Sequence, residues 1–148
     1  AEQYCIAADN VASHGLQIGY HNHDWDLAKF EAQPAYHTFL AHTPESVLFE
    51  ADLFWIARAG IDPVGFLHVI GPRGKVLHFK DGHIADRSIK IPFLPAGQGE
   101  VDLIAAAQAA KDAEYIAVEL DEYDGDMLNA VEQSYLYLTE NKIAGGKK

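Results

Sequence analysis

Apolar and polar positions follow two periods along this chain, and the switches between them mark its elements. Residues 1–15 place Tyr4, Ala8 and Val11 on one side of a helix, with Gly15 as its C-cap. "LQIGYHNH" (16–23) changes to a period of two and reads as a strand. "AYHTFLAHT", after Pro34, predicts a short helix, and "SVLFEAD" (46–52) a buried strand. In "DPVGFLHVIG" Asp62 stands as N-cap, Pro63 opens the first turn and Gly71 follows the last, which are start and stop signals of a helix. "KVLHFKD" is a third strand, followed by a loop rich in Pro and Gly and by the Ala-rich helix "VDLIAAAQAAKDA". "YIAVELD" is the fourth strand, and "MLNAVEQSYLYLTEN" an amphipathic helix.

The order is one helix, then four repeats of strand and helix. Strand starts fall roughly 30 residues apart, the size of a βα unit with its loops. Such alternation implies an α/β fold with a parallel sheet under helical cover. A doubly wound sheet and part of a (β/α)8 barrel both satisfy the pattern. No G-x-G-x-x-G follows a strand, which disfavours a dinucleotide-binding domain. No linker interrupts residues 1–142, read as a single domain, and 143–148 read as a disordered tail.

Composition narrows the partners. The 148 residues are 49% apolar, with no apolar run approaching a membrane span, so no membrane association is expected. A net charge of −11 is wrong for a nucleic-acid backbone and for anionic lipid, but it suits a protein that holds a cation. Cys5 is the single cysteine, which excludes an internal disulfide and fits a reducing, cytoplasmic setting.

The chemistry lies in where polar residues fall. Strand parity turns His21 and His23 one way and Tyr20, Asn22 and Asp24 the other. Each strand then ends in a group able to bind metal: His21 and His23, Asp52, His78 and Glu119. In parallel α/β folds the carboxyl edge of the sheet is where ligands bind. Taken singly, a buried His or Asp more often caps a helix than holds an ion; four strands ending alike are harder to assign to capping. Two imidazoles and two carboxylates suit a divalent ion, and donor type does not choose among Mn²⁺, Co²⁺, Zn²⁺, Mg²⁺ and Fe²⁺. His14, His37, His42 and His68 fall away from this edge, and His83 lies on the loop after the third strand.

"GYHNHDWD", "LFEADLFWIARAGIDPVGFL", "VLHFKDG", "GQGEVDL" and "IAVELDE" resemble, in order and over nearly the whole chain, the sugar phosphate isomerase/epimerase family. This is the xylose isomerase-like TIM barrel superfamily, which includes inosose dehydratases, ketose epimerases and endonuclease IV. The resemblance implies the C-terminal half (strands 5–8) of a (β/α)8 TIM barrel, and a metal held by His21, Asp52, His78 and Glu119. His21 stands where many members of the family have a glutamate. Trp55 matches a substrate-contacting position, Lys80 shares a strand face with His78, and Glu100 in "GQGEVD" either caps the next helix or meets substrate.

The implied reaction is isomerisation or epimerisation of a keto-sugar or sugar phosphate, by proton abstraction next to a metal-polarised carbonyl. Glu119 is the expected base. His23, with a pKa near working pH, is the expected second acid/base, Lys80 a further catalytic group, and Trp55, His23, Lys80 and Glu100 the substrate contacts. A metal-bound imidazole at His21 is a poor proton shuttle, so a keto-sugar or inosose dehydratase or lyase is an equal alternative. The third is a catalytically incomplete half-barrel that binds only metal or a partner. An endonuclease IV-like phosphodiesterase would need a basic face, which the charge denies. Half a barrel has two open sheet edges, so a homo-oligomer or association with a missing N-terminal half is expected.

Overall fold

The computed structural model describes residues 1–30, 33–90 and 92–145. Helix α1 (Glu2–Ala12) leads into strand β1 (Ile18–His21) through the predicted stop. Gly15 takes φ +69°, and Leu16 N–H donates back to the Val11 carbonyl at 3.3 Å, closing the helix end. Two short strands, β2 (Lys29–Phe30) and β3 (Gln33–Pro34), precede α2 (Ala35–Ala41). Strand β4 (Val47–Asp52) runs directly into α3 (Leu53–Arg58), then α4 (Pro63–Ile70). Strand β5 (Gly74–Phe79) is followed by the short pair β6 (Asp81–Gly82) and β7 (Phe93–Leu94). Helix α5 (Leu103–Ala109), strand β8 (Tyr115–Val118) and helix α6 (Met127–Glu140) complete the order.

The main sheet has the order β1-β4-β5-β8, and every pair in it is parallel. The predicted strands and longer helices are all present. Asp62 caps α4 by accepting from Val64 and Gly65 N–H, and Gly71 ends it at φ +51°. The helix α3 is an addition: "LFWIAR" is too short to show a helical period, and its start depends on Asp52 as cap. The antiparallel pairs β2–β3 and β6–β7 are also additions, each of two-residue strands below the reach of pattern reading.

Register separates the two faces of the sheet. Phe49, Ala51, Leu77 and Phe79 point to the helices and are buried. With Phe54, Phe66, Ile70 and Leu103 they form the core. Fully burying such side chains stabilises by about 1.5–3 kcal/mol each before entropy is charged. The opposite face carries Leu48, Glu50 and Asp52 on β4, and Val76 and His78 on β5. It is small and apolar at its base and polar at the carboxyl edge. Residues 146–148, in the segment read as a tail, lie outside the described residues, whereas Ile143 packs against the core.

A candidate metal centre at the carboxyl edge

The ends of β1, β4 and β5 bring His21, Asp52 and His78 together, with one donor atom from each within 4.8 Å of the others. The first and last of these strands never touch; β4 lies between them, pairing His21 with Glu50 and Asp52 with His78. Glu119, immediately after β8, joins from the far side, its Oε2 in contact with His78 Nδ1. The imidazoles of His21 and His78 lie 4.6 Å apart between ring centres.

Asp52 shows how both readings of a strand-end aspartate hold at once. Its Oδ1 accepts from Trp55 N–H at 3.0 Å and caps α3. Its Oδ2 faces the group, 3.1 Å from the Lys80 ammonium, and the side chain is fully buried. Among the described residues, the buried side-chain polar atoms without a hydrogen bond are His21 Nδ1, Asp52 Oδ2, Trp55 Nε1, His78 Nδ1 and Glu119 Oε2. One atom of each expected ligand is in that set. Asp52 Oδ2, His78 Nδ1 and Glu119 Oε2 face one another and the Lys80 ammonium, and such crowding of buried ionisable groups at one place marks a binding position. Two imidazole nitrogens and two carboxylate oxygens match the donor chemistry of a divalent transition metal.

Lys80 is buried to 1% exposure. Its ammonium hydrogen-bonds both oxygens of Asp121 at 2.9 and 3.1 Å, and stands 3.1 Å from Asp52 Oδ2 and 3.3 Å from Glu119 Oε2. Trp55 and Phe93 flank it with ring centres 5.5 and 5.4 Å from Nζ. Burial alone would lower the Lys80 pKa, but Asp52, Asp121 and Glu119 outweigh it and hold the pKa above its ordinary value. His78 behaves alike: burial pulls its pKa down, while Asp52, Glu119 and Glu50 raise it further than burial lowers it.

His23 lies past the end of β1, its ring 4.9 Å from that of His21 and 6.0 Å from that of Trp55. It occupies the rim rather than the metal group. Beside Trp55 a cavity of about 550 Å³ opens, also lined by Arg58, Arg87, Lys90, Phe93 and Asp121. Another of about 580 Å³ lies between α1 and α2, lined mainly by Tyr20, Tyr36 and Phe39, and carries none of the expected ligands.

Of the two roles expected of Glu100, the cap of the next helix is taken by another residue. Asp102 caps α5 by accepting from Ala105 N–H. The Glu100 carboxylate instead accepts from Ile84 and Ala85 N–H at 3.1 and 3.0 Å, with His83 Nδ1 at 3.5 Å. Glu100 and His83 thus hold each other's loops.

Two residues near the group escaped the sequence reading. Asn22 is fully buried and bonded to the backbone of Asp52. Glu50 stands 2.9 Å from His78 Nε2. Glu50 was reachable, since parity puts it on the face of Asp52. Asn22 was assigned to the opposite face by a strand parity that ends at His21.

Solved structures supply the comparison. A sugar phosphate isomerase/epimerase from Parabacteroides distasonis superposes with a TM-score of 0.76 at 25% identity, over 97% of this chain and 53% of that one. The chain has the fold of half a xylose isomerase-like TIM barrel. The half-barrel also superposes on the probable 3-DHS dehydratase AsbF, involved in petrobactin synthesis, from Bacillus anthracis. That match has a TM-score of 0.71 at 15% identity over 95% of this chain and 55% of the other. A xylose isomerase domain protein from Alicyclobacillus acidocaldarius gives 0.65 at 16%, over 92% and 53%. The half-barrel therefore spans about half the length of the structures it matches. These neighbours bear out the family resemblance drawn from the five motifs. No protein-family model and no curated protein matches the chain. Among the described residues, no helix is long and apolar enough to cross a membrane.

Proposed function

We propose that this half-barrel carries the metal-binding side of the active site of a sugar or polyol isomerase, epimerase or dehydratase. The observation that supports it is the convergence of buried donor atoms from His21, Asp52 and His78 at one sheet edge, with Glu119 against His78. A divalent cation bound there would supply Lewis acidity to a substrate carbonyl.

The chain's own residues then have these roles. His21, Asp52, His78 and Glu119 hold the ion. Glu119, partly exposed and beside His78, takes the proton from the carbon next to the carbonyl. Lys80 pairs with the carboxylates of Asp52 and Glu119 and places positive charge where a substrate oxygen gains electron density. Trp55 presents an unpaired Nε1–H to a substrate hydroxyl, and its ring closes one side of the cavity. His23 lies where a proton is returned or a leaving hydroxyl is protonated.

Isomerisation, epimerisation and dehydration share the first proton transfer. An imidazole at His21, where a second carboxylate would serve two-sided epimerisation, favours loss of a hydroxyl assisted by His23 as the second reading. The outer sides of β1 and β8 carry no ladder partner among the described residues. We infer that further barrel strands pair there, from the rest of a longer chain or from another copy, and bring the remaining substrate contacts.

Titration of the metal-free chain with Co²⁺ tests the proposal. One bound equivalent with visible absorption bands is the expected result, lost in Asp52→Asn. No binding by the wild type at millimolar Co²⁺ would overturn it.

A further inference from the structure

Glu50 lies outside the donor set yet touches it. Residues two apart on a strand share a face, so Glu50 sits on the face of Asp52, one layer deeper in the half-barrel. Its Oε1 is 2.9 Å from Nε2 of His78, while Nδ1 of the same ring is buried, touches Glu119 Oε2 and faces Asp52 Oδ2 at 3.8 Å. Oε2 turns towards His21 Nδ1 at 4.0 Å, beyond hydrogen-bond length. One carboxylate thus stands between the two imidazoles of the group.

We infer that Glu50 is a positioning residue of the metal centre, fixing His78 in the tautomer that turns a bare Nδ1 to the ion. The inference rests on the metal-binding reading above. A neutral imidazole has one N–H and one lone pair. With the proton on Nε2, the ring donates to Glu50 and Nδ1 keeps its lone pair for a cation. With the proton on Nδ1, an N–H would point at the donor group and the Nε2 lone pair would face a carboxylate oxygen. With a cation held between Asp52 and Glu119, the second arrangement is repulsive at both ends. A carboxylate partner also raises the basicity of the imidazole, and removal of such a partner commonly costs roughly 10–100-fold in metal affinity. The Glu50 side chain keeps 38% exposure, so its charge remains partly hydrated.

Isothermal titration with Co²⁺ on wild type, Glu50→Leu and Glu50→Gln tests this, together with ¹⁵N spectra of the histidine rings in the Zn²⁺-loaded proteins. The wild type is expected to show His78 bound through Nδ1 and protonated on Nε2. Glu50→Leu is expected to bind Co²⁺ roughly 10–100-fold more weakly. Glu50→Gln, which retains an oxygen acceptor, is expected to recover most of that loss and the wild-type tautomer. Circular dichroism on all three separates weaker binding from unfolding. Undiminished Co²⁺ affinity in a folded Glu50→Leu, or His78 bound through Nε2 in the wild type, overturns the role of Glu50 while leaving the metal site standing. Absence of Co²⁺ binding by the wild type overturns the metal reading and this role with it.

Discussion

The side-chain amide of Asn22 closes on the backbone of Asp52 from both sides: its Oδ1 accepts the Asp52 N–H at 3.0 Å and its Nδ2 donates to the Asp52 carbonyl at 3.3 Å. The amide extends the β1–β4 ladder beyond its last backbone pair, His21 with Glu50. Asp52 is thereby held at its backbone by Asn22 and at Oδ1 by the cap of α3, which leaves Oδ2 aimed at the neighbouring histidines. Asn22→Ala leaves two buried backbone groups unpaired and is expected to cost about 1–3 kcal/mol in urea unfolding. An unchanged midpoint would show that water replaces the amide.

Asp81 stabilises a loop rather than the site. Its buried carboxylate accepts from the N–H groups of Gly82, Gly97, Gly99 and Val101 at 2.8, 2.9, 3.0 and 3.1 Å. A Cβ on Gly99 would collide with that carboxylate, which explains a glycine in "GQGEVD". Asp81→Asn turns one acceptor into a donor facing N–H groups and is expected to destabilise by about 3–5 kcal/mol. Gly99→Ala is expected to lower the melting temperature too, and the double variant to lose less than the sum, since both act on one contact.

Lys80 and the proposed ion do overlapping electrostatic work. Lys80→Met removes the cation among Asp52, Glu119 and Asp121 and leaves carboxylates crowded. In EDTA the variant is expected to lose about 3–5 kcal/mol relative to wild type, the usual cost of breaking a buried pair. With excess Mn²⁺ the gap is expected to narrow, because the ion supplies positive charge in the same place. A gap of equal size with and without Mn²⁺, read by differential scanning fluorimetry, would contradict this.

Glu100 sets a pH dependence. The N–H groups of Ala85 and Ile84, with His83 nearby, hold its pKa below the ordinary glutamate value, against a smaller opposing effect of desolvation. A folded pKa below the unfolded one makes the stabilisation complete above the unfolded value, about 4.3, and removes it as pH falls through the folded value. The melting temperature of Glu100→Gln is expected to trail that of wild type at neutral pH. The two should converge as pH falls below the folded value, and a constant gap would assign the effect to packing instead.

The period-two strands and the capped helices of this chain were legible because each is a local pattern several residues long. Asp62, Pro63 and Gly71 bracket α4 as their chemistry requires. The short helix α3 and the pairs β2–β3 and β6–β7 were not, since two to six residues carry no period and their partners lie elsewhere in the chain. The loop partners of Glu100 were out of reach for a similar reason. The N–H groups it satisfies belong to residues 84 and 85, and no spacing rule connects them to a residue 16 and 15 positions later.

Sequence alone determined the α/β alternation, the polar ending of each strand, and the residues His21, Asp52, His78 and Glu119 as the groups to watch, because these follow from periodicity and residue chemistry. Tertiary structure decided that the first three, 57 residues apart from end to end, share one point, that Asp52 divides its oxygens between a helix cap and the site, and that Asn22 and Glu50 brace the donors. The physical reason is that strand order, register and the direction of each lone pair arise only when β1, β4 and β5 lie side by side.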